Sequence, residues 1–316
     1  MTGGLLDQLK LDVDSDFDVH RVSQANDPEK LVDEVGGDVE ILCNTGHGLK
    51  IDGALMDRLP KLKLIANFGV GYDTIDAAEA SRRNIIVTNT PEVLSDEVAD
   101  TALGLLLMTV RELSAAERWL RDGKWASEGD YRLTPMSLQG RSIGIVGLGR
   151  IGKAIAHRCE AFGTPISYFG RTKKSDVAYP FYTDIVEMAR AVDTLIVVTP
   201  GTAETKNLIN QDVLEALGSD GVVINVARGS VVDENALITA INSQTIAGAG
   251  LDVMWNEPNI NPELMKLENT VLLPHVGSAS LRTRRAMGQL VIDNMKALKT
   301  GTAPLTPVPE TPFAEW

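Results

Sequence analysis

The feature that most constrains the fold is a glycine-rich turn in the middle of the chain, Gly147-Leu148-Gly149-Arg150-Ile151-Gly152. It follows an apolar run, Ile143–Val146, typical of a buried strand, and it opens a helical pattern. The first glycine permits a tight turn, the second lets a phosphate approach the backbone, and the third lets helix and strand pack closely. Strand, turn and helix in this order predict a dinucleotide-binding unit whose helix N-terminus binds the pyrophosphate.

Short β-rich runs alternate with helical patterns along all 316 residues, which predicts an α/β protein with parallel sheets. The chain is too long for one ordinary core, so two domains are expected. Residues 91–284 are assigned to the dinucleotide-binding Rossmann domain.

The strands and helices of both domains are predicted from these patterns. In the first domain the strands are Asp18–Val22, Val39–Asn44, Lys63–Asn67 and Ile85–Asn89, and the helices are Pro28–Val35 and Asp76–Arg83. One long helix is predicted over Ser95–Arg121, and another over Leu281–Lys299. Six strands in a doubly wound sheet are expected at Ser142–Val146, Pro165–Phe169, Thr194–Thr199, Val222–Val226, Ala247–Val253 and Thr270–Pro274. The Pro-rich tail is expected to lie extended on the surface.

Composition and charge limit the location and partners of the chain. A net charge of −13 argues against a nucleic-acid partner, because a phosphate backbone attracts positive patches. No apolar run is long enough to cross a bilayer and no basic leader opens the chain, so we expect a cytoplasmic protein without membrane contact. Cys43 and Cys159 are expected to be buried reduced thiols, and no histidine is spaced for a metal.

The turn after the second strand of the nucleotide-binding domain distinguishes NADP from NAD. NAD-binding proteins usually end that strand with a carboxylate that binds the ribose 2′-hydroxyl. Here the position is Gly170, followed by Arg171, Thr172, Lys173 and Lys174. A guanidinium and a hydroxyl suit a 2′-phosphate, so NADPH is predicted to be preferred over NADH.

Three polar residues follow later strands of the same domain: Arg228, Glu257 and His275. Ligands of an open parallel sheet bind beyond the carboxyl ends of its strands, so these side chains are expected to converge. Reduction of a carbonyl leaves negative charge on oxygen, which His275 would protonate while Glu257 keeps the ring charged and oriented. Arg228 would polarise the carbonyl and bind a substrate carboxylate, which makes Arg228 and His275 both catalytic and substrate-binding candidates.

These segments together resemble the D-isomer-specific 2-hydroxyacid dehydrogenases, and within them the glyoxylate/hydroxypyruvate reductases. The matching segments are NFGVGYDTID (Asn67–Asp76), VTNTPEVLSDEVADTALGLLL (Val87–Leu107), GIVGLGRIG (Gly144–Gly152), VINVARGSVVDENAL (Val223–Leu237), GAGLDV with NEP (Gly248–Pro258) and LLPHVGSAS (Leu272–Ser280). The resemblance implies an oxidoreductase that reduces a small 2-oxo acid, works as a homodimer and uses Arg228, Glu257 and His275 as above. It also implies two Rossmann-like or flavodoxin-like domains with the active-site cleft between them, in which residues 1–90 and 285–316 form a discontinuous substrate-binding domain.

The resemblance also implies which residues contact substrate and cofactor. Val70 and Gly71 would offer backbone N–H groups to the substrate carboxylate. Thr101 and Asp252 would lie by the nicotinamide. The predicted cofactor-binding residues also include the glycine-rich turn and Arg171, Thr172 and Lys173. The others are Thr199, Pro200, Val226, Ala227 and Gly277. Relatives normally begin with an apolar strand and a loop before the first helix, whereas this chain starts almost directly at Leu5–Leu11. The sheet is therefore expected to have either an exposed edge or another partner there.

Two other functions fit the same residues. A nucleotide-sensing binding protein, like the corepressors of this fold, keeps the same catalytic residues. A reductase of larger 2-oxo acids would differ only in its pocket. A phosphoglycerate dehydrogenase usually carries a ribose-binding Asp, so Gly170 counts against that activity. A formate dehydrogenase of this fold has no glutamate beside its histidine, so Glu257 counts against that one.

Overall fold

The computed structural model describes residues 13–45 and 50–313. The chain divides into two compact units: Met1–Leu94 with Ala279–Trp316, called the first unit here, and Ser95–Ser278, called the second unit. Both contain parallel sheets, so the predicted α/β class is confirmed. The Leu5–Leu11 segment lies outside the described residues.

The first unit is a three-stranded parallel sheet with helices. Its strands are β1 (Ile41–Asn44), β2 (Leu64–Asn67) and β3 (Ile86–Thr88), in the spatial order β1-β2-β3. Its helices are α1 (Pro28–Val35), α2 (Gly53–Asp57) and α3 (Ala77–Arg82), and the last helix of the chain, Leu281–Lys299, packs against β2. Asp76 caps the N-terminus of α3, because its carboxylate accepts the N–H of Glu79 at 2.9 Å.

The predicted strand Asp18–Val22 is wrong. That segment is irregular and ends in a single 3-10 turn, Val22–Gln24. A strand needs a neighbour for its backbone groups, and β1 pairs with β2 alone among the described strands. A cavity of about 1080 Å³ lies against β1 instead, with Phe17, Val19 and Cys43 in its lining. Cys43 is therefore half-buried, while Cys159 is buried as predicted, and both thiols are free.

The C-terminal tail does not simply lie on the surface as expected. Pro307 pairs antiparallel with Thr88 of β3, and the N–H of Val308 donates to the Val87 carbonyl at 2.8 Å. Val308 is 1% exposed and belongs to the core of the first unit. The tail therefore forms a β-bridge with the edge strand β3 and contributes Val308 to the core of the first unit.

The second unit is a doubly wound parallel sheet. Its strands are β4 (Ile143–Val146), β5 (Ile166–Phe169), β6 (Phe181–Tyr182), β7 (Thr194–Val197), β8 (Val222–Asn225), β9 (Gly248–Leu251) and β10 (Thr270–Leu272). They lie in the order β10-β9-β8-β7-β4-β5-β6. All six predicted strands are present, and the edge strand β6 was missed because two residues carry no readable periodicity.

Helices cover both faces of this sheet. The helices of the second unit are α4 (Ser95–Val110), α5 (Leu113–Arg121), α6 (Lys124–Glu128), α7 (Arg150–Glu160), α8 (Ile185–Ala191), α9 (Gln211–Leu217), α10 (Glu234–Asn242) and α11 (Pro262–Met265). The helix of the first unit at Leu281–Lys299 is called α12. One apolar cluster joins α4 and α7 to one face, and a second joins α8, α9 and α10 to the other.

The single helix predicted over Ser95–Arg121 is wrong. It divides into α4 and α5 because Glu112 adopts a left-handed conformation with φ of 51°. The Glu112 carboxylate accepts hydrogen bonds from the Tyr131 hydroxyl at 2.8 Å and the Arg132 guanidinium at 2.9 Å. Contacts across the following loop therefore stabilise a break that helical periodicity does not reveal.

Candidate active site

The glycine-rich turn has the geometry that its sequence predicts. It follows the fully buried strand β4, and Gly147 has a φ of +103°. A methyl group on Gly147 would lie 3.0 Å from the backbone of Thr199. A methyl group on Gly152 would lie 2.3 Å from the Gly147 carbonyl oxygen. The first and third glycines are therefore required by close backbone packing.

The second glycine of this turn has a different environment. No heavy atom lies within 4 Å of where a methyl group on Gly149 would project, and Gly149 precedes the first turn of α7. Leu148 is buried and Ile151 half-buried, so both support the turn from behind. Open space beside a glycine at a helix N-terminus fits the close approach of a pyrophosphate, so these residues suit a dinucleotide.

The predicted residues after β7 and β8 lie at the same edge of the sheet as this turn, because parallel strands end together. Thr199 and Pro200 follow β7, and Thr199 packs directly on Gly147. Val226 and Ala227 follow β8, where the N–H of Val226 donates to the Val197 carbonyl at 3.1 Å.

The basic turn after β5 lies beside the glycine-rich turn. The N–H of Gly147 donates to the Phe169 carbonyl at 3.0 Å, which joins the ends of β4 and β5. Arg171, Thr172 and Lys173 are exposed just beyond this point. Within residues 13–45 and 50–313, no carboxylate forms an ion pair with Arg171 or Lys173. The turn therefore presents cationic side chains without an acidic partner near the nucleotide-binding turn.

Thr101 and Asp252, the two residues predicted near the nicotinamide, both form a hydrogen bond with Gly277, another predicted cofactor-binding residue. Asp252, at 2% exposure, accepts N–H hydrogen bonds from Val276 at 2.7 Å and from Gly277 at 2.8 Å. The Thr101 hydroxyl donates to the Gly277 carbonyl at 3.2 Å. Burial raises the pKa of the Asp252 carboxyl, and the two N–H donors oppose that shift.

His275 and Glu257 form the pair that the sequence predicts. The His275 Nδ1 atom lies 2.7 Å from Glu257 Oε2, and the two side chains are 33% and 25% exposed. The other carboxylate oxygen of Glu257 accepts the N–H of Met254 at 2.8 Å. Because both oxygens are engaged, the carboxylate is held in one orientation toward the imidazole. His275 itself has a φ of 54°, and its N–H donates to the Asp252 carbonyl at 2.9 Å.

Arg228 lies directly after β8, where it precedes a 3-10 turn, Gly229–Val231. One of its guanidinium nitrogens donates to the Ala227 carbonyl at 2.7 Å. A methyl group on Gly229 would lie 2.1 Å from the Met254 carbonyl, so the Arg228 loop packs on the segment that anchors Glu257. The loops that carry Arg228, Glu257 and His275 are thus connected through Met254 and Glu257.

The two predicted substrate-binding residues of the first unit, Val70 and Gly71, lie in the loop after β2. Both are half-buried. In the part of the chain that the structure describes, no protein oxygen accepts the N–H of either residue. Their backbone donors are available to an anion.

Sequence reasoning missed two supports of these groups. The Met254 N–H that fixes Glu257 has no residue-type signal, because any residue supplies a backbone donor. A set of asparagines supports Val70 and Gly71. That set had a signal: Asn44, Asn67 and Asn89 each stand at the end of a predicted strand.

Among the described residues, no cluster of three His, Cys, Asp or Glu side chains is placed to hold a metal ion. No helix in the described ranges is both long and apolar enough to span a bilayer.

Comparison with known proteins identifies the family. Residues 103–277 match the family described as D-isomer specific 2-hydroxyacid dehydrogenase, NAD binding domain. The chain is 47% identical over 257 residues to glyoxylate/hydroxypyruvate reductase A of Arabidopsis thaliana, covering 81% of this chain and 82% of that protein. It is 46% identical to hydroxyphenylpyruvate reductase of Plectranthus scutellarioides, with the same coverage of 81% and 82%.

A solved structure agrees over the whole fold. The NADPH-dependent glyoxylate/hydroxypyruvate reductase of Sinorhizobium meliloti, in complex with NADP and malonate, superimposes with a TM-score of 0.91 at 49% identity. The match covers 99% of this chain and 96% of that one. The chain belongs to the D-isomer-specific 2-hydroxyacid dehydrogenases, a family of NAD(P)-dependent oxidoreductases.

Proposed function

We propose that this chain catalyses the NADPH-dependent reduction of a small 2-oxo acid, of the glyoxylate and hydroxypyruvate class, to the D-2-hydroxy acid. The observation that carries the proposal is the 2.7 Å contact between His275 Nδ1 and Glu257 Oε2, with the carboxylate anchored from behind by Met254. The names of the similar Arabidopsis and Sinorhizobium reductases support the substrate class.

Each polar residue has one role in this proposal. The nicotinamide, when bound, supplies the hydride. Because Nδ1 of His275 faces Glu257, the ring delivers its proton from Nε2 to the carbonyl oxygen as negative charge develops there. Arg228 polarises the carbonyl, and the N–H groups of Val70 and Gly71 hold the substrate carboxylate.

The preference for NADPH follows from the turn after β5. Gly170 offers no carboxylate to a ribose 2′-hydroxyl, and Arg171 and Thr172 are exposed beside the nucleotide-binding turn. Arg171 can form a charge-assisted, forked pair with a 2′-phosphate. We expect at least a tenfold preference for NADPH, about 1.4 kcal/mol.

Steady-state kinetics test the proposal directly. Glyoxylate, hydroxypyruvate and hydroxyphenylpyruvate are assayed with NADPH and NADH by absorbance of the reduced nicotinamide. We expect the highest kcat/KM for NADPH with a small 2-oxo acid. Equal use of NADH refutes the cofactor preference, and faster turnover of hydroxyphenylpyruvate identifies a reductase of larger 2-oxo acids.

Arg171→Ala isolates the cofactor contact. It should raise the KM for NADPH about tenfold or more and leave the KM for NADH unchanged. Arg190→Ala, at an exposed arginine of α8, is the matched control and should change neither. If the KM for NADPH is unchanged in Arg171→Ala, this residue does not belong to the proposed site.

His275→Asn tests the proton donor. Turnover should be lost while the fluorescence titration of NADPH remains near that of the unsubstituted chain. No turnover of any 2-oxo acid by the unsubstituted chain, with NADPH still bound, would favour the nucleotide-sensing alternative.

We also propose a homodimer formed through α5, α6 and the loop that follows. Helix α5 is amphipathic but has no buried residue in the described chain. Leu120, Trp125 and Leu133 are 55%, 59% and 96% exposed, which is unusual for large apolar side chains grouped in one segment. Sedimentation velocity measures the oligomeric state, and a monomer at micromolar concentration rejects this interface.

A further inference from the structure

An asparagine stands at or just after the end of each parallel strand of the first unit. Asn44 ends β1 and Asn67 ends β2, and the two are register partners in the sheet. Thr88 ends β3, where it pairs with Ala66, and Asn89 directly follows it. Asn44 and Asn67 are only 9% and 2% exposed. Buried amides need hydrogen-bond partners. Asn67 and Asn89 find theirs in the loop that contains Val70 and Gly71, and Asn44 binds Asn67.

The side-chain amides bind the carbonyl groups of that loop. Asn67 Nδ2 donates to the Gly69 carbonyl at 3.1 Å and to the Gly71 carbonyl at 3.0 Å. Asn89 Nδ2 donates to the Val70 carbonyl at 2.9 Å. All three carbonyl oxygens between Gly69 and Gly71 are therefore held by asparagine side chains.

Holding a carbonyl also sets the direction of an N–H group. In a planar trans peptide, the C=O of one residue and the N–H of the next point in opposite directions. The Gly69 carbonyl shares its peptide unit with the Val70 N–H, and the Val70 carbonyl shares its unit with the Gly71 N–H. The contacts from Asn67 and Asn89 thus orient the two N–H groups away from the protein acceptors.

Asn44 determines which end of the Asn67 amide faces the loop. Asn44 Nδ2 donates to Asn67 Oδ1 at 2.8 Å, so the oxygen of Asn67 is taken on the strand side. Its NH₂ group is then the end that faces the Gly69 and Gly71 carbonyls. A flipped Asn67 would place an oxygen against two carbonyl oxygens, which is repulsive.

We propose that Asn67 and Asn89, with Asn44 behind Asn67, are positioning residues that set the Val70 and Gly71 N–H groups for the carboxylate of the 2-oxo acid. The inference rests on the proposed function, which assigns that carboxylate to the two N–H groups. The asparagines do not touch the substrate. They act by fixing two donors before the anion arrives, so that binding needs no loop ordering.

The first test is Asn89→Ala, because Asn89 is half-buried and its removal opens the smallest space. We expect the KM for the 2-oxo acid to rise about tenfold, as one oriented hydrogen bond to a charged group is weakened, with kcat and the NADPH dissociation constant little changed. Asn89→Asp should raise KM further, because it points an oxygen at the Val70 carbonyl. Thr311→Val is the matched control: it removes a 2.8 Å hydrogen bond to the Val87 N–H elsewhere on the same sheet, and should lower Tm without changing KM.

A second variant, Asn44→Asp, keeps the size of the side chain and asks whether the orientation of Asn67 matters. The new carboxylate accepts a hydrogen bond where Asn44 donated one, so it favours the flipped Asn67. KM should rise with little change in kcat. A fall in kcat with unchanged KM, or a KM unchanged in both the Asn89 and Asn44 variants, overturns the inference.

Carboxylate binding is also measured without turnover, which separates this inference from the proposed function. Malonate is titrated by calorimetry into the NADP⁺-loaded chain and each variant. If the unsubstituted chain reduces no 2-oxo acid, the proposed function fails, and weaker malonate binding by Asn89→Ala still supports the positioning role. If the unsubstituted chain is active and all variants bind malonate equally, the positioning role fails alone.

Discussion

Alanine at the third and at the second glycine of the nucleotide-binding turn is expected to affect different properties, the first replacement stability and the second NADPH binding. In Gly152→Ala the new methyl group would lie 2.3 Å from a backbone oxygen that cannot rotate away, so helix α7 must shift. Overpacking of this kind costs about 3 kcal/mol, the upper end of its usual range, because the contact is with backbone. For a unit of this size that lowers Tm by about 6–12 °C.

Gly149→Ala should behave differently. No atom lies within 4 Å of its new methyl group, and Gly149 has a φ of −86° that alanine adopts without strain. Tm should change by less than about 2 °C. The methyl group occupies the space into which a pyrophosphate would come, so the dissociation constant for NADPH should rise at least about tenfold.

The assay is a pair of measurements on each variant: thermal unfolding without cofactor, and fluorescence titration of NADPH. Gly104→Ala is the control, since Gly104 lies within α4 with open space beside it and alanine favours a helix interior. It should leave NADPH binding unchanged and Tm equal or slightly higher. Unaltered NADPH binding in Gly149→Ala would refute the assignment of this turn to the pyrophosphate.

Two further predictions concern buried charges of the second unit. Arg141 is 6% exposed, and its guanidinium donates to the carbonyls of Asp193 at 2.5 Å and Asp220 at 2.6 Å. Arg141→Met leaves these buried carbonyls without their donor, so it should lower the free energy of unfolding by about 3 kcal/mol. Urea denaturation measures this change. Burial raises the pKa of the Asp252 carboxyl above its ordinary 3.8, so folding favours the protonated carboxyl. The stability that this carboxyl contributes therefore declines as pH rises through its pKa in the folded state. The unsubstituted chain should therefore gain stability relative to Asp252→Asn as pH falls from neutral toward 3.8; a difference in unfolding free energy that is constant with pH contradicts this assignment.

Local sequence patterns predict most of the helices and strands. Alternating apolar runs and helical periodicity place six of the seven strands of the second unit, and the glycine spacing places the nucleotide turn, because these signals are written in neighbouring residues. At the end of α4, contacts from a later loop overrode the local pattern. Glu112 breaks a periodic helix because Tyr131 and Arg132 bind its carboxylate.

The sequence by itself determined six of the seven strands of the second unit, the glycine-rich turn and the presence of an arginine, a glutamate and a histidine after successive strands. Only the tertiary structure decided that Glu257 meets His275 at 2.7 Å, that Met254 anchors the second carboxylate oxygen, and that the C-terminal tail pairs with β3. The physical reason is the same in each case. A residue's type and spacing define what it can donate or accept, but the partner that it finds depends on how segments far apart in the chain pack together.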